Sequence, residues 1–379
     1  MKILHVITSL NNGGAENHLA ELSTLQANQK KNEIHIIYLR GNNYWTQKLK
    51  NKKILIEKVS IEKNYNLIKL FFGIFKIYQY IKKIEPEIVH AHLSLSEIVV
   101  LFLKLVFRMN FKMIVSKHLD SFLFEGSRGQ NHYFSGISIE KIIFNASSHI
   151  IFISKNVQTY FLSKINITKK KHSVIYYGID RKNFINEKKS KNKEIKIKKN
   201  KNEKFILNIA RHTPQKRIDL LIRGFAEYLK VNKNSRLILV GSGSETKNLK
   251  LLSVKLKIES KIHWINYTNY VYDLFRISDV FCLTSRYEGL GLVLLESLVA
   301  RVPIITMNSS AMKEVVKNNF SGLLLSKNCN PKSLSTALMK LLENKKFCKS
   351  IIKNGSITLD KKFTTKKMLE LTNNIYEKI

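Results

Sequence analysis

Acidic residues are scarce in this chain: 28 Asp and Glu stand against 65 Lys and Arg, leaving a net charge of +37 over 379 residues. The aspartates Asp120, Asp180, Asp219, Asp273, Asp279 and Asp360 are isolated, so no Asp-x-Asp pair offers a divalent metal site. Cysteine is scarcer still. Cys282, Cys329 and Cys348 lie in the second half without zinc-like spacing, which excludes a disulfide framework and suggests a reducing compartment. Long apolar runs are missing: residues 98–107 are apolar except for Lys104, but Arg108 follows and the run is too short to span a bilayer. The apolar stretch after Met1 stops at Asn11 without a small-residue cleavage site, which reads as a buried first strand and not a leader. No aromatic RNA-binding signature interrupts the lysines, which are spread along the chain in an Asn- and Ile-rich, AT-type composition. Anionic lipid headgroups are the expected partners of such charge, followed by phosphate-bearing substrates; nucleic acid is not expected.

What is present is a folded α/β chain. Hydrophobic residues make up 44% and aromatics 10%, which excludes wholesale disorder, and the length fits two domains. Short apolar strands alternate with longer helical patterns, which predicts parallel sheets with helical crossovers. Strands are expected at 2–8, 33–38, 88–91, 113–116 and 150–153, then at 205–210, 236–240, 262–265, 280–283 and 303–306. Residues 66–82 read as a helix that interleaves apolar side chains with Lys69, Lys76 and Lys82; it either faces the core or lies on a membrane surface. Residues 187–204 carry almost nothing to bury and read as a solvated lysine-rich linker or exposed loop. The expected organisation is a doubly wound domain over 1–186, the linker, a second such domain over 205–364, and a final helix at 365–379 that packs back on the first domain. Two doubly wound sheets facing each other put a ligand cleft at the C-terminal ends of their strands.

The most informative run is Ser285-Arg286-Tyr287-Glu288-Gly289-Leu290-Gly291-Leu292-Val293-Leu294-Leu295-Glu296. It follows an apolar strand and opens an apolar helix. Its glycines let backbone pass close to a ligand, and the free amides at a helix start form an anion site. Two flanking carboxylates suit a ligand that bears hydroxyls as well as phosphates, as a sugar nucleotide does. Other pieces stand just after strands: Asn12-Gly13-Gly14-Ala15-Glu16, His118, Arg211 and Lys216, and the turn at Gly241-Ser242-Gly243. The last lacks the third glycine of a dinucleotide fingerprint and is explained by a strand-to-helix turn. Glu16 is explained by the helix dipole. A metal at His90 and His92 has no identifiable third ligand.

In their order these motifs resemble the retaining family-4 glycosyltransferases, which have the two-domain GT-B fold, and the resemblance covers nearly the whole chain. It implies a UDP- or GDP-sugar donor, no cofactor and no metal. Glu288 is then assigned to hydroxyls of the transferred sugar, and Glu296 to the ribose. Gly289, Leu290, Gly291 and Leu292 would meet the distal phosphate; Gly13 and Gly14 would stand beside phosphate or sugar. Arg211 and Lys216 would compensate the leaving diphosphate, and His118 would lie near the transferring sugar. Two departures stand out: Arg301 where relatives commonly have glycine, and Asn308-Ser309-Ser310-Ala311 in place of a glycine-rich turn before Glu314.

The expected function is transfer of a sugar to a glycan or lipid-linked acceptor of bacterial surface-polysaccharide synthesis. The expected location is cytoplasmic, peripheral on the inner face of the plasma membrane. A catalytically silent nucleotide-sugar-binding protein, a nucleic-acid-binding protein and a sugar-nucleotide epimerase are the alternatives.

Overall fold

Strands rich in Ile, Val and Leu, each followed by a crossover helix, build two parallel sheets in the computed structural model, which describes residues 1–11, 13–42, 44–50, 52–61, 67–119, 133–188 and 197–379. Residues 189–196 of the expected lysine-rich linker, together with Asn12 and Asp120, lie outside these described residues.

The chain forms two units. The first comprises Met1–Gly178 and Thr365–Ile379. Its elements are β1 (Lys2–Ser9), α1 (Gly14–Ala27), β2 (Glu33–Arg40), α2 (Thr46–Lys50), β3 (Ile54–Lys58), α3 (Leu67–Ile84), β4 (Ile88–His92), α4 (Ser94–Val106), β5 (Lys112–Lys117), α5 (Tyr133–Ala146), β6 (His149–Phe152), α6 (Lys155–Leu162) and β7 (His172–Val174). The second unit, Ile179–Thr364, holds α7 (Arg181–Lys188), β8 (Lys204–Ile209), α8 (Ile218–Leu229), β9 (Ser235–Val240), α9 (Thr246–Lys255), β10 (Ile262–Ile265) and α10 (Val271–Ile277). It continues through β11 (Val280–Leu283), α11 (Leu292–Val299), β12 (Ile304–Met307), α12 (Met312–Val315), β13 (Leu323–Leu325), α13 (Pro331–Glu343) and α14 (Lys345–Lys362). The last helix, α15 (Thr365–Lys378), belongs to the first unit.

The first sheet has seven strands in the order β3-β2-β1-β4-β5-β6-β7, and the second has six in the order β10-β9-β8-β11-β12-β13. Both orders run outward from a central pair in two directions, so each sheet has a switch point, between β1 and β4 and between β8 and β11. Parallel strands covered on both faces must be apolar throughout, and β1 and β2 are buried along six consecutive residues each. Three short strands were not anticipated, β3, β7 and β13, which are half-buried or only three residues long.

One layer of the first unit's core packs α1 and α15 on the sheet through Leu19, Leu22, Met368, Ile375 and Tyr376. The sheet register puts His5 beside His90, His90 beside Ile114 and His92 beside Ser116. Because strand side chains alternate, His5, His90, His92 and Ser116 share this face. Arg301 (φ 58°) and Ser310 (φ 49°) both hold left-handed backbone, the conformation that a glycine adopts without strain.

Candidate active site

In the second unit the strand ends bring two loops together. The segment after β8 carries Arg211 and Lys216; the segment after β11 carries Glu288 and leads into α11. They are laced by backbone: Arg286 N–H donates to Gln215 O at 2.8 Å, and Gln215 Nε2 donates to Tyr287 O at 2.8 Å. Thr284 Oγ1 donates to the carbonyls of Lys216 and Arg217 at 3.0 and 2.9 Å. Lys216 is thereby aimed at Glu288: its Nζ lies 2.5 Å from Oε1, and both side chains are 12% exposed. Ser285 Oγ donates to the same Oε1 at 2.6 Å.

Gly291 caps α11 at φ 84°, where an added Cβ would press on Leu294 Cδ1 at 3.2 Å. The first amides of any α-helix have no partner inside it, so α11 begins with donors and a positive dipole end. Glu296 lies one turn into this helix, half-buried. Gly289 and Leu290 are buried in the turn, and Leu292 is the first helical residue. Arg211 is exposed immediately beyond β8. Gly241 and Gly243 hold that segment in place: a Cβ on Gly241 would meet Ala210 O at 2.0 Å, and one on Gly243 would meet His212 O at 2.4 Å. The unexpected serines also act here. Ser309 Oγ donates to Arg286 O at 2.9 Å and Ser310 Oγ to Glu288 O at 2.7 Å, so this turn clamps the glutamate loop from behind. Beside it lies a pocket of about 450 Å³ lined by Arg217, Arg286, Met307, Ser309, Lys327, Asn328 and Cys329.

In the first unit Gly13 caps α1, and a Cβ there would fall 2.3 Å from Glu16 Oε2. Glu16 is buried and accepts from Ser9 Oγ at 2.7 Å, so it ties the end of β1 to α1, beyond any role with the helix dipole. Gly14 is the first residue of α1.

His118 ends β5 in a buried row of rings. Tyr177 Oη lies 2.5 Å from His118 Nδ1, His118 Nε2 lies 3.2 Å from His92 Nδ1, His92 Nε2 lies 3.1 Å from His5 Nδ1, and His5 Nε2 lies 2.8 Å from Gln26 Oε1. With an amide oxygen as the terminal acceptor, every proton points the same way, from Tyr177 through three neutral imidazoles to Gln26. Both nitrogens of His118 are thus engaged inside the unit. Burial keeps these rings uncharged: it lowers His5 to about 4 and His18 to about 3, and pushes His90, His92 and His118 well below the usual range. His18 stacks on Tyr177 at 4.4 Å between centroids.

The fold corrects one premise of the sequence reading. His90 and His92 do have a third neighbour, His5, and one ring nitrogen of each lies within 4.8 Å of the others. All six ring nitrogens already have partners: His90 bonds Tyr376 Oη at 2.6 Å and Ser116 Oγ at 2.8 Å, and the other two rings sit in the row. The donor set is therefore used up by hydrogen bonds. Sequence reasoning also missed Lys117, whose Nζ is buried between Glu97 (2.6 Å) and Glu140 (2.8 Å) and pins the end of β5 to α4 and α5.

Residues 12–183 match the family Glycosyltransferase Family 4, and residues 189–357 match Glycosyl transferases group 1. The capsular polysaccharide biosynthesis glycosyltransferase CapH of Staphylococcus aureus is 25% identical over 384 residues, covering 98% of each chain. The UDP-Gal:alpha-D-GlcNAc-diphosphoundecaprenol alpha-1,3-galactosyltransferase of Escherichia coli is 26% identical, covering 77% of each. An uncharacterized glycosyltransferase of Methanocaldococcus jannaschii is 28% identical over 238 residues, and that match spans 60% of its length. The Anabaena HepE structure in complex with UDP-glucose superposes with a TM-score of 0.83 at 19% identity, covering all of both chains. With both halves matched by the two family descriptions and the whole chain following a GT-B structure, this protein belongs to the family-4 glycosyltransferases.

Proposed function

We propose that the protein is a retaining, metal-independent hexosyltransferase that moves a sugar from a UDP- or GDP-sugar to a glycan or lipid-linked acceptor during synthesis of a bacterial surface polysaccharide. It would work in the cytoplasm, at the inner face of the plasma membrane. The observation that carries this reading is the Lys216–Glu288 pair beside the Gly291-headed helix. A cation, a carboxylate and a set of free amides standing together match a diphosphate joined to a hydroxylated ring. The relatives' stated roles in capsule, O-antigen and diphosphoundecaprenol-linked synthesis support the pathway class, and the UDP-glucose complex of HepE supports the donor class.

As the glycosidic bond breaks, charge accumulates on the departing diphosphate. Arg211, Lys216 and the first amides of α11 would stabilise it, the same service a metal performs elsewhere. Glu288 would accept from hydroxyls of the transferred sugar, and Glu296 from the ribose. Neither residue is assigned as a covalent nucleophile. Departure and attack are therefore placed on one face of the sugar, with the leaving phosphate taking the acceptor's proton.

A thermal-shift screen against uridine and guanosine diphosphate sugars, with and without magnesium, tests the reading. Ligand at a hundredfold excess over Kd stabilises by about 2.7 kcal/mol. A donor should raise the melting temperature without magnesium and be consumed only when an acceptor is supplied. A strict magnesium requirement for binding, or donor conversion without acceptor, overturns it.

A further inference from the structure

We infer that the second unit holds, behind the Glu288 loop, a second anion site that takes a small phosphate monoester with an apolar body. The site goes beyond the transferase reading and uses none of the groups assigned to the donor.

The hollow beside the serine clamp has a volume of about 450 Å³, within the usual range for small-molecule sites. Three cations from distant parts of the chain converge on it: Arg217 at the start of α8, Arg286 after β11 and Lys327 after β13. The sheet brings them together. Pairing of β12 with β13 sets Met307 beside Leu325, and Asn308 N–H donates to Leu325 O at 2.7 Å, which delivers the turn at 326–329 to the rim. Arg217 Nη1 donates to Lys327 O at 3.2 Å and Cys329 N–H to Ser326 O at 2.9 Å, so that turn is tied in place. On the other side Ser309 Oγ, donating to Arg286 O, fixes the backbone from which the second guanidinium extends.

No carboxylate lines this hollow. The acids nearest in sequence are Asp219, just beyond Arg217, and Glu288, just beyond Arg286. Asp219 is exposed outside the hollow, and Glu288 is already held by Lys216 and Ser285. Among the described residues no ion pair joins an Asp or Glu to Arg217, Arg286 or Lys327. Like charges gathered around one concavity repel each other and focus a positive potential inside it. A phosphate dianion answers that potential: guanidinium forks grip its oxygens in pairs, and an ammonium adds a point charge. The floor asks for something else. Met307 is 1% and Cys329 8% exposed, with Cys329 Sγ 4.0 Å from Met307 Sδ. Sulfur side chains offer polarizable apolar contact and only weak hydrogen bonds, so the rest of the ligand is a carbon body.

The test is calorimetry on the full chain, first saturated with a nucleoside diphosphate to occupy the donor groups, then titrated with phenyl phosphate, inorganic phosphate or phenol. Phenyl phosphate should bind one-to-one, about tenfold or more tighter than inorganic phosphate, because its ring covers the sulfur floor. Phenol, without the charge, should not bind. Lys327→Glu puts a carboxylate beside the arginines and should weaken phenyl phosphate about tenfold or more, whereas Lys327→Arg should retain it. Lys327 is exposed, so neither variant should move the melting temperature. Arg286→Gln, which removes one fork, should weaken phenyl phosphate likewise. Wild-type affinity in Lys327→Glu overturns the proposal. So does one-for-one displacement of the nucleoside diphosphate by phenyl phosphate, which assigns the anion to the donor groups. Equal affinity for phenyl and inorganic phosphate overturns the ligand class. A chain that binds the nucleoside diphosphate but no phenyl phosphate sinks this site alone, and the reverse result sinks the transferase reading alone.

Discussion

Replacing Lys117 by Met should destabilise the first unit in a pH-dependent way. Its ammonium is 5% exposed and touches Glu97 Oε2 at 2.6 Å and both oxygens of Glu140 at 2.8 and 2.9 Å, with those carboxylates 1% and 0% exposed. Removing one partner of a buried pair leaves uncompensated charge behind and costs about 3–5 kcal/mol. For a unit of this size each kcal/mol lowers the melting temperature by about 2–4 °C, so a fall of roughly 6–20 °C is expected. Burial already pushes Glu97 up to about 7, against the opposing pull of Lys117. A carboxyl raised in the folded state binds its proton more tightly there than in the unfolded chain. Stability from that group therefore declines as pH rises through the window from 4.5 to about 7, and is level above it. Without Lys117 the declining range extends upward, because two abandoned carboxylates must share the site. Urea unfolding at about pH 5 and about pH 8 should show the larger loss at the higher pH. Adding Glu97→Gln and Glu140→Gln should recover much of it. A loss under about 1 kcal/mol at both pH values, or an equal loss at each, refutes the argument.

Glu296→Ala should weaken the free nucleoside diphosphate by about 10–150-fold, the worth of a charged hydrogen bond of about 1.5–3 kcal/mol, whereas Glu288→Ala should lower turnover more than binding; calorimetry that finds unchanged affinity in Glu296→Ala removes the ribose role. His5 at about 4 and His18 at about 3 are depressed from 6.5, so their contribution to stability is complete above pH 6.5 and is lost as pH falls toward those values. Unfolding between these limits should take up protons, and His5→Gln should reduce that uptake in calorimetry across buffers. Arg301→Gly should stabilise the chain by about 1 kcal/mol, because left-handed backbone at φ 58° strains any residue with a Cβ; a lower melting temperature would count against that account.

Much of the fold was legible because parallel strands buried on both faces are near-continuous apolar runs, as in Ile34–Leu39 or Leu237–Val240. The missed strands lack that contrast: β3 mixes Leu55 and Ile56 with Glu57 and Lys58, and β7 and β13 have three residues each. In the second unit the loops with Lys216 and Glu288 were readable because each motif follows its own strand. The serine clamp was visible only as a departure from glycine, since its bonds to Arg286 and Glu288 depend on how β11 and β12 pair. The histidine row was hidden for the same reason. Spacing of two puts His90 and His92 on one face, but only the register of β1 against β4 brings His5 beside them. Nothing local to Lys117 reveals that Glu97 and Glu140 reach it from two helices.

A head-to-tail file of imidazoles has only two coherent settings, and the Gln26 amide selects between them. Turning that amide half a circle would hand His5 a proton in place of accepting one. Every ring after it would have to swap tautomer together, and Tyr177 would have to rotate its hydroxyl away from His118. The Gln26 oxygen thus settles which nitrogen of each ring carries the proton, as far as the Tyr177 phenol at the other end.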